Sequence, residues 1–229
     1  MRIFKNLKGH FSTITHHKML VMKTCFKVGL YKQGLLHDLS KYTPIEFIPG
    51  VIYYQGDRSP INREKELKTC SRGWLHHKGR NLHHFEYWID YSINPTGGKL
   101  VGMKMPKKYV AEMVIDRISA SKNYLKDQYN DGSALAYYLN GKHMMLIDDE
   151  TDYLSRYLLT MLDMKGEEYL LHYMRHTLLR HKIVIIMCGM EVVFRLSEIP
   201  LEVQYLSWIE LELKGSLHRV HDCRVIFLQ

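Results

Sequence analysis

The sequence predicts an all-α helical bundle with a small β or irregular C-terminal appendage. Three observations predict it. Apolar residues recur at three- and four-residue spacing through most of residues 10–180. Clusters of Pro, Gly, Asn and Asp separate these stretches. β-branched runs without that spacing are concentrated in residues 182–229. The chain has 229 residues, of which 46% are hydrophobic and only 15 are Gly and 6 Pro, so disorder is excluded as its main state. The expected division is a helical domain over 1–181 and an extension over 182–229.

Residues 10–33 read as the first helix, with Leu20, Val21, Cys25 and Val28 inward and Lys18, Lys23, Lys27 and Lys32 toward solvent. A short helix over 33–41 follows. Thr43-Pro44 opens a third helix to about Tyr54, because proline suits a first turn. Gln55 to Pro60 is a loop, and helices are expected over 62–77 and 82–91. Asn94-Pro95-Thr96-Gly97-Gly98 is a break, and Pro106 opens a long helix to about Tyr129. Residues 133–140 and 150–180 give two more. In the tail, Ile183 to Ile186 and Val192 to Phe194 read as strands, broken at Glu198-Ile199-Pro200.

The charge is +8 with histidines neutral. That suits an anionic partner; nucleic acid stays open, since +8 also serves plain solubility. Four scattered cysteines (Cys25, Cys70, Cys188, Cys223) form no CxxC pair, which argues against a disulfide scaffold and a thiolate zinc site. The first residues lack the apolar core of a signal peptide, and the longest apolar run, Ile183 to Met190, is too short to span a bilayer. A soluble cytoplasmic protein with no membrane partner is expected.

The histidines are the unusual feature. Eight of the 14 fall within residues 10–84: His10, His16, His17, His37, His76, His77, His83 and His84. Imidazole is a neutral metal ligand that titrates near neutrality. One of His16 and His17, then His37-Asp38, two of His76, His77, His83 and His84, and finally Asp116 make a candidate ligand set. A carboxylate such as Asp38 can bridge two ions that histidines cap. An unbroken helix would put His77 and His84 on one face, although Gly79 interrupts that register. Asp116 sits in an apolar helical stretch where an unpaired carboxylate is costly, and its neighbour Arg117 diverges from it. Lys41, Arg58, Lys78 and Arg80 are candidate phosphate contacts. Glu46 reads as a surface acid, the alternative being an acid that supports the ligands from behind. A second HD string, His221-Asp222, lacks the apolar setting and reads as coincidence.

His17-Lys18-Met19-Leu20-Val21, His37-Asp38-Leu39-Ser40-Lys41 and Ile115-Asp116-Arg117-Ile118 together resemble the motifs of the HD-domain superfamily of metal-dependent phosphohydrolases. GLLHDLSKYTPIEF, YYQGDRSP, WLHHKGRNLHHFEYW and IDRISASK are similar, more closely, to an uncharacterised bacterial and phage family. The likeness covers residues 16–118, and by helical character reaches about 180; the tail departs from it. It implies His17 over His16, and the ligand set His17, His37, Asp38, His77, His84 and Asp116, with His16, His76 and His83 as alternates. It implies one or two divalent ions, of Mn, Fe, Zn or Mg, the hard and borderline metals that nitrogen and oxygen donors suit. Asp38 and Lys41 become the candidate catalytic residues, and a small anionic phosphate the expected substrate. Oxygen activation by a di-iron centre, or metal and nucleotide binding without turnover, are the rival readings.

Overall fold

A computed structural model describes residues 2–93 and 99–180, together with the backbone of three strands over 182–187, 190–195 and 223–228. The break expected at 94–98, the Glu198-Ile199-Pro200 break and the second HD string lie outside the described residues.

The first helix, α1 (Arg2–Lys27), starts eight residues earlier than the apolar spacing suggested and ends sooner. Its buried stripe is His10, Ile14, His17, Val21 and Cys25, at steps of three or four residues, so two histidines lie in the core face. Gly29, at φ +85, turns the chain into α2 (Tyr31–Leu36). The expected helix over 33–41 is not continuous. His37 is extended, Asp38 adopts φ 53, ψ 23, and a 3-10 turn follows over Leu39–Tyr42. Aspartate is among the few side chains that enter the left-handed region readily.

Three further expectations change. The helix over 62–77 is two helices, α4 (Pro60–Lys68) and α5 (Arg72–Lys78), parted at Thr69 with φ 66. Ser71 caps α5 by accepting from the Trp74 backbone N–H at 2.9 Å. The stretch over 82–91 is not an α-helix. It is a 3-10 turn (Phe85–Trp88) and a strand β1 (Ile89–Ser92), antiparallel to β2 (Lys99–Gly102) with Ile89 opposite Gly102. The Ile-Asp-Tyr-Ser alternation fits a strand once a partner lies alongside. Residues 150–180 break at Gly166, φ +82, into α8 (Asp149–Lys165) and α9 (Glu167–Tyr173).

The remaining helices are α3 (Pro44–Ile52), α6 (Lys107–Leu125) and α7 (Ser133–Gly141). α6 is buried along Val110, Ala111, Glu112, Met113, Val114, Ile115 and Ile118, so it is the central strut. α1 packs on α2, α3 and α6, and α6 also packs on α7 and α8. The chain divides into two units, 1–175 and 176–229. In the second, β3 (Lys182–Met187) pairs antiparallel with β4 (Met190–Arg195) and with β5 (Cys223–Leu228), in the order β4-β3-β5. Among the described residues no helix is long and apolar enough to cross a membrane.

A buried histidine–carboxylate cluster as candidate metal centre

Four segments meet at the site. α1 contributes His17, the kink after α2 contributes His37 and Asp38, α5 and the turn beyond it contribute His77, His83 and His84, and α6 contributes Asp116. The kink decides the arrangement. Because Asp38 is left-handed rather than helical, His37 and Asp38 converge: His37 Nε2 lies 3.3 Å from Asp38 Oδ2. Two successive residues of one helix would diverge.

Asp38 is central. Its Oδ2 faces His37 Nε2 and, at 3.8 Å, His17 Nε2, while its Oδ1 faces His77 Nε2 at 3.3 Å and His83 Nε2 at 3.5 Å. Asp116 Oδ1 lies 2.9 Å from His17 Nε2 and 3.6 Å from His37 Nε2. His84 Nε2 lies 2.9 Å from His77 Nε2. Two donor quartets result, His17, His37, Asp38, Asp116 and Asp38, His77, His83, His84, each with donor atoms within 4.8 Å of one another. Two donors bound about 2.1 Å from one ion at tetrahedral or octahedral angles stand roughly 3.0–3.5 Å apart. The observed spacings bracket that range.

Hydrogen bonding leaves the right atoms free. Eight buried side-chain polar atoms among the described residues make no hydrogen bond, and five are in this cluster: His17 Nε2, His37 Nε2, His83 Nε2 and both Asp38 oxygens. Of these atoms only Asp38 Oδ2 has a charged partner, the Lys41 ammonium, and among the close approaches above only His77 Nε2 and His84 Nε2 hydrogen-bond to each other. Native interiors rarely tolerate such orphans. Meanwhile the outer nitrogens are engaged. His37 Nδ1 and His83 Nδ1 approach Glu112 Oε1 at 3.0 and 3.2 Å, and His77 Nδ1 approaches Glu46 Oε2 at 2.8 Å. An imidazole that donates through Nδ1 presents its Nε2 lone pair inward, the usual device that orients a metal-binding histidine.

Charge points the same way. Burial alone would push Asp38 up, but His37, Lys41 and His77 hold it well below the usual carboxylate range. Burial would likewise raise Asp116, and its close contacts with His17 and His37 hold it well below. His37 is driven above its ordinary value: burial opposes this, but the Asp38 charge and the Asp116, Asp38 and Glu112 contacts outweigh it. Burial pushes His17 and His84 down. Lys41 Nζ lies 2.5 Å from Asp38 Oδ2. Burial disfavours its charge, but Asp38 and Asp116 raise it further, so it is a cation. Asp38, Asp116, Glu46 and Glu112 thus form a concentrated acidic group faced by the Lys41 ammonium and, without an ion, by a protonated His37.

The other sequence candidates divide. His16 is exposed and pairs with Asn123 Oδ1 at 2.7 Å, outside the cluster. His76 pairs with Glu46 Oε1 at 2.5 Å, behind His77. Arg58 is held by Gln55 and by both oxygens of Glu66, so the fold does not bring it to the cluster. Arg80 is exposed with a 3.5 Å contact to the His76 carbonyl, and Lys78 lies within electrostatic range of Glu86 and Lys65. Glu46, read as a surface acid, is buried under α5, because the Pro44 start turns that face of α3 inward. Glu112 was missed altogether. Its signal was present, one helical turn before Asp116 on the same face.

Residues 6–160 match the family model described as a family of unknown function, DUF5662. The chain belongs to that family. No curated protein and no solved structure matches it. The family span includes every residue of both quartets, together with Lys41, Glu46 and Glu112, and stops within α8.

Proposed function

We propose that this chain is an HD-type metal-dependent phosphohydrolase acting on a nucleotide or another small phosphate ester. The observation that carries the reading is the set of buried donor atoms without a hydrogen-bond partner, His17 Nε2, His37 Nε2, His83 Nε2 and Asp38 Oδ1, facing one another in an acidic cluster. In this reading His17, His37, Asp38 and Asp116 would hold one divalent ion, and Asp38, His77, His83 and His84 would hold a second. Bound ions supply a Lewis acid and a water whose pKa falls toward about 7.

The chain's own residues do the rest. Glu112 fixes His37 and His83 by one carboxylate oxygen, and Glu46 fixes His77, so the inner nitrogens stay aimed at the cluster. Asp38 holds the two halves together and places Lys41. With its side chain 27% exposed, Lys41 can reach a phosphoryl oxygen at the rim while keeping Asp38 within range. A fixed ammonium there favours the charge that builds on phosphoryl oxygens in the transition state. Asp116, 17% exposed at its side chain, lies at the open side of the cluster beside it.

The test is elemental analysis of purified protein, followed by phosphate release from a panel of nucleotides and simple phosphate esters with added Mn, Fe, Zn or Mg. The expected result is bound metal, lost in Asp38→Ala, and release abolished by the same change. Protein without metal whose Asp38→Ala variant behaves like the parent would sink the reading. Iron-dependent oxygen consumption without phosphate release would replace it by oxygen activation.

A further inference from the structure

The first two turns of α1 have no role in the cluster, and they expose what a soluble surface ordinarily hides. Ile3, Phe4, Leu7 and Phe11 are 72, 79, 46 and 51% exposed. They share one side of the helix at three- and four-residue steps, and Arg2 and Lys5 lie on the other side, with Lys8 at its border. The apolar side continues along the molecule: Phe11 meets Tyr42 at 6.0 Å between ring centroids, and exposed Leu39 and Leu36 flank the kink that Lys18 ties to α1. Residues 1–37 contain seven Lys and Arg and no Asp or Glu, so α1 and α2 supply no acid of their own to offset Arg2, Lys5 and Lys8.

We propose that this face lies on an anionic lipid surface, with the Ile3, Phe4, Leu7 and Phe11 stripe entering the headgroup boundary and Arg2, Lys5 and Lys8 meeting lipid phosphates. The inference goes beyond the proposed hydrolase and does not depend on it. Charge selects the occupant. A second copy seated two-fold on this face would set Arg2, Lys5 and Lys8 against their own counterparts, and like charges there oppose association. A nucleic acid would match the cations and could stack on Phe4 and Phe11, but would leave Ile3 and Leu7 in water. An anionic bilayer satisfies both halves, as amphipathic interfacial helices do. The lack of any membrane-crossing segment does not bear on this, since such a helix lies in the plane of the surface.

The test is flotation of the full chain with phosphatidylcholine vesicles, with and without phosphatidylglycerol, over a salt series. Binding is expected only with the anionic lipid, falling as salt rises. Reversing Lys5 and Lys8 to Glu together is expected to lower the partition constant about twentyfold or more, from roughly fivefold per cation. Leu7→Glu is expected to abolish it, with the helical circular dichroism signal of both variants unchanged because these positions are exposed. Absent binding, binding that either variant retains in full, binding of an oligonucleotide instead, or a parent dimer that Leu7→Glu disperses would each overturn the proposal.

Discussion

Single side chains in this protein act mainly by what they hold. Glu112 Oε1 is shared by His37 and His83, so one carboxylate sets two rings. Glu112→Gln keeps the shape but removes the charge-assisted bonds. Its affinity for Mn or Zn, followed by competition with a chromophoric chelator, is expected to fall roughly 10- to 100-fold while the fold is retained. In the proposed reading, Lys41 separates binding from turnover. Lys41→Met is expected to keep bound metal and lose phosphate release by about two orders of magnitude or more. His10 offers a pH prediction clear of the cluster. It is buried against Phe47 and Gly50, and burial, reinforced by the Lys41 charge, lowers its pKa to about 4. A histidine whose folded pKa is depressed contributes its full stability above the unfolded value of about 6.5 and loses it as pH falls toward the folded value. The melting temperature should therefore drop between about pH 6.5 and 4, and His10→Leu should flatten part of that drop.

The elements matter through where they stop. Had residues 33–41 been one helix, His37 and Asp38 would point about 100° apart, and Asp38 could not face both quartets. Asp38→Asn keeps a residue that tolerates the left-handed backbone, so it should preserve the kink and lose only the charge. The α1–α3 contact is equally specific. A Cβ on Gly50 would clash with the His10 ring, so Gly50→Ala should displace that buried ring and destabilise the chain by about 1–3 kcal/mol in urea unfolding. At this scale the reading from sequence went furthest on the long periodic helices α1, α6 and α8, where apolar spacing persists for many turns. It failed at 62–77 and 82–91. There the breaks come from a non-glycine residue at positive φ, Thr69, which leaves no local pattern, and from strand pairing with β2, of which the sequence shows only a four-residue alternation.

For the whole molecule, the candidate site belongs to one of the two units. Both quartets and all their supporting residues lie in the unit over 1–175, and the family match lies within it too. A chain ending after residue 180 is therefore expected to keep the metal stoichiometry and the cooperative melting of the full chain, as read by elemental analysis and calorimetry. The sequence by itself determined the helical class and singled out residue types that suit a cluster: histidines and acids cannot be spread through apolar helices without a use for them, because burial of each is costly. It also marked Asp38, Lys41 and Asp116. Only the tertiary structure decided which histidines meet. His16 and His17 are adjacent, yet α1 buries one and exposes the other; His77 and His84, separated by the end of α5, come within 2.9 Å. It also decided that Glu46 and Glu112 stand behind the rings and that Arg58 belongs to Glu66. The physical reason is that a donor set is a matter of distances between segments remote in sequence. Periodicity fixes only the face each residue takes on its own helix, and packing fixes which faces meet.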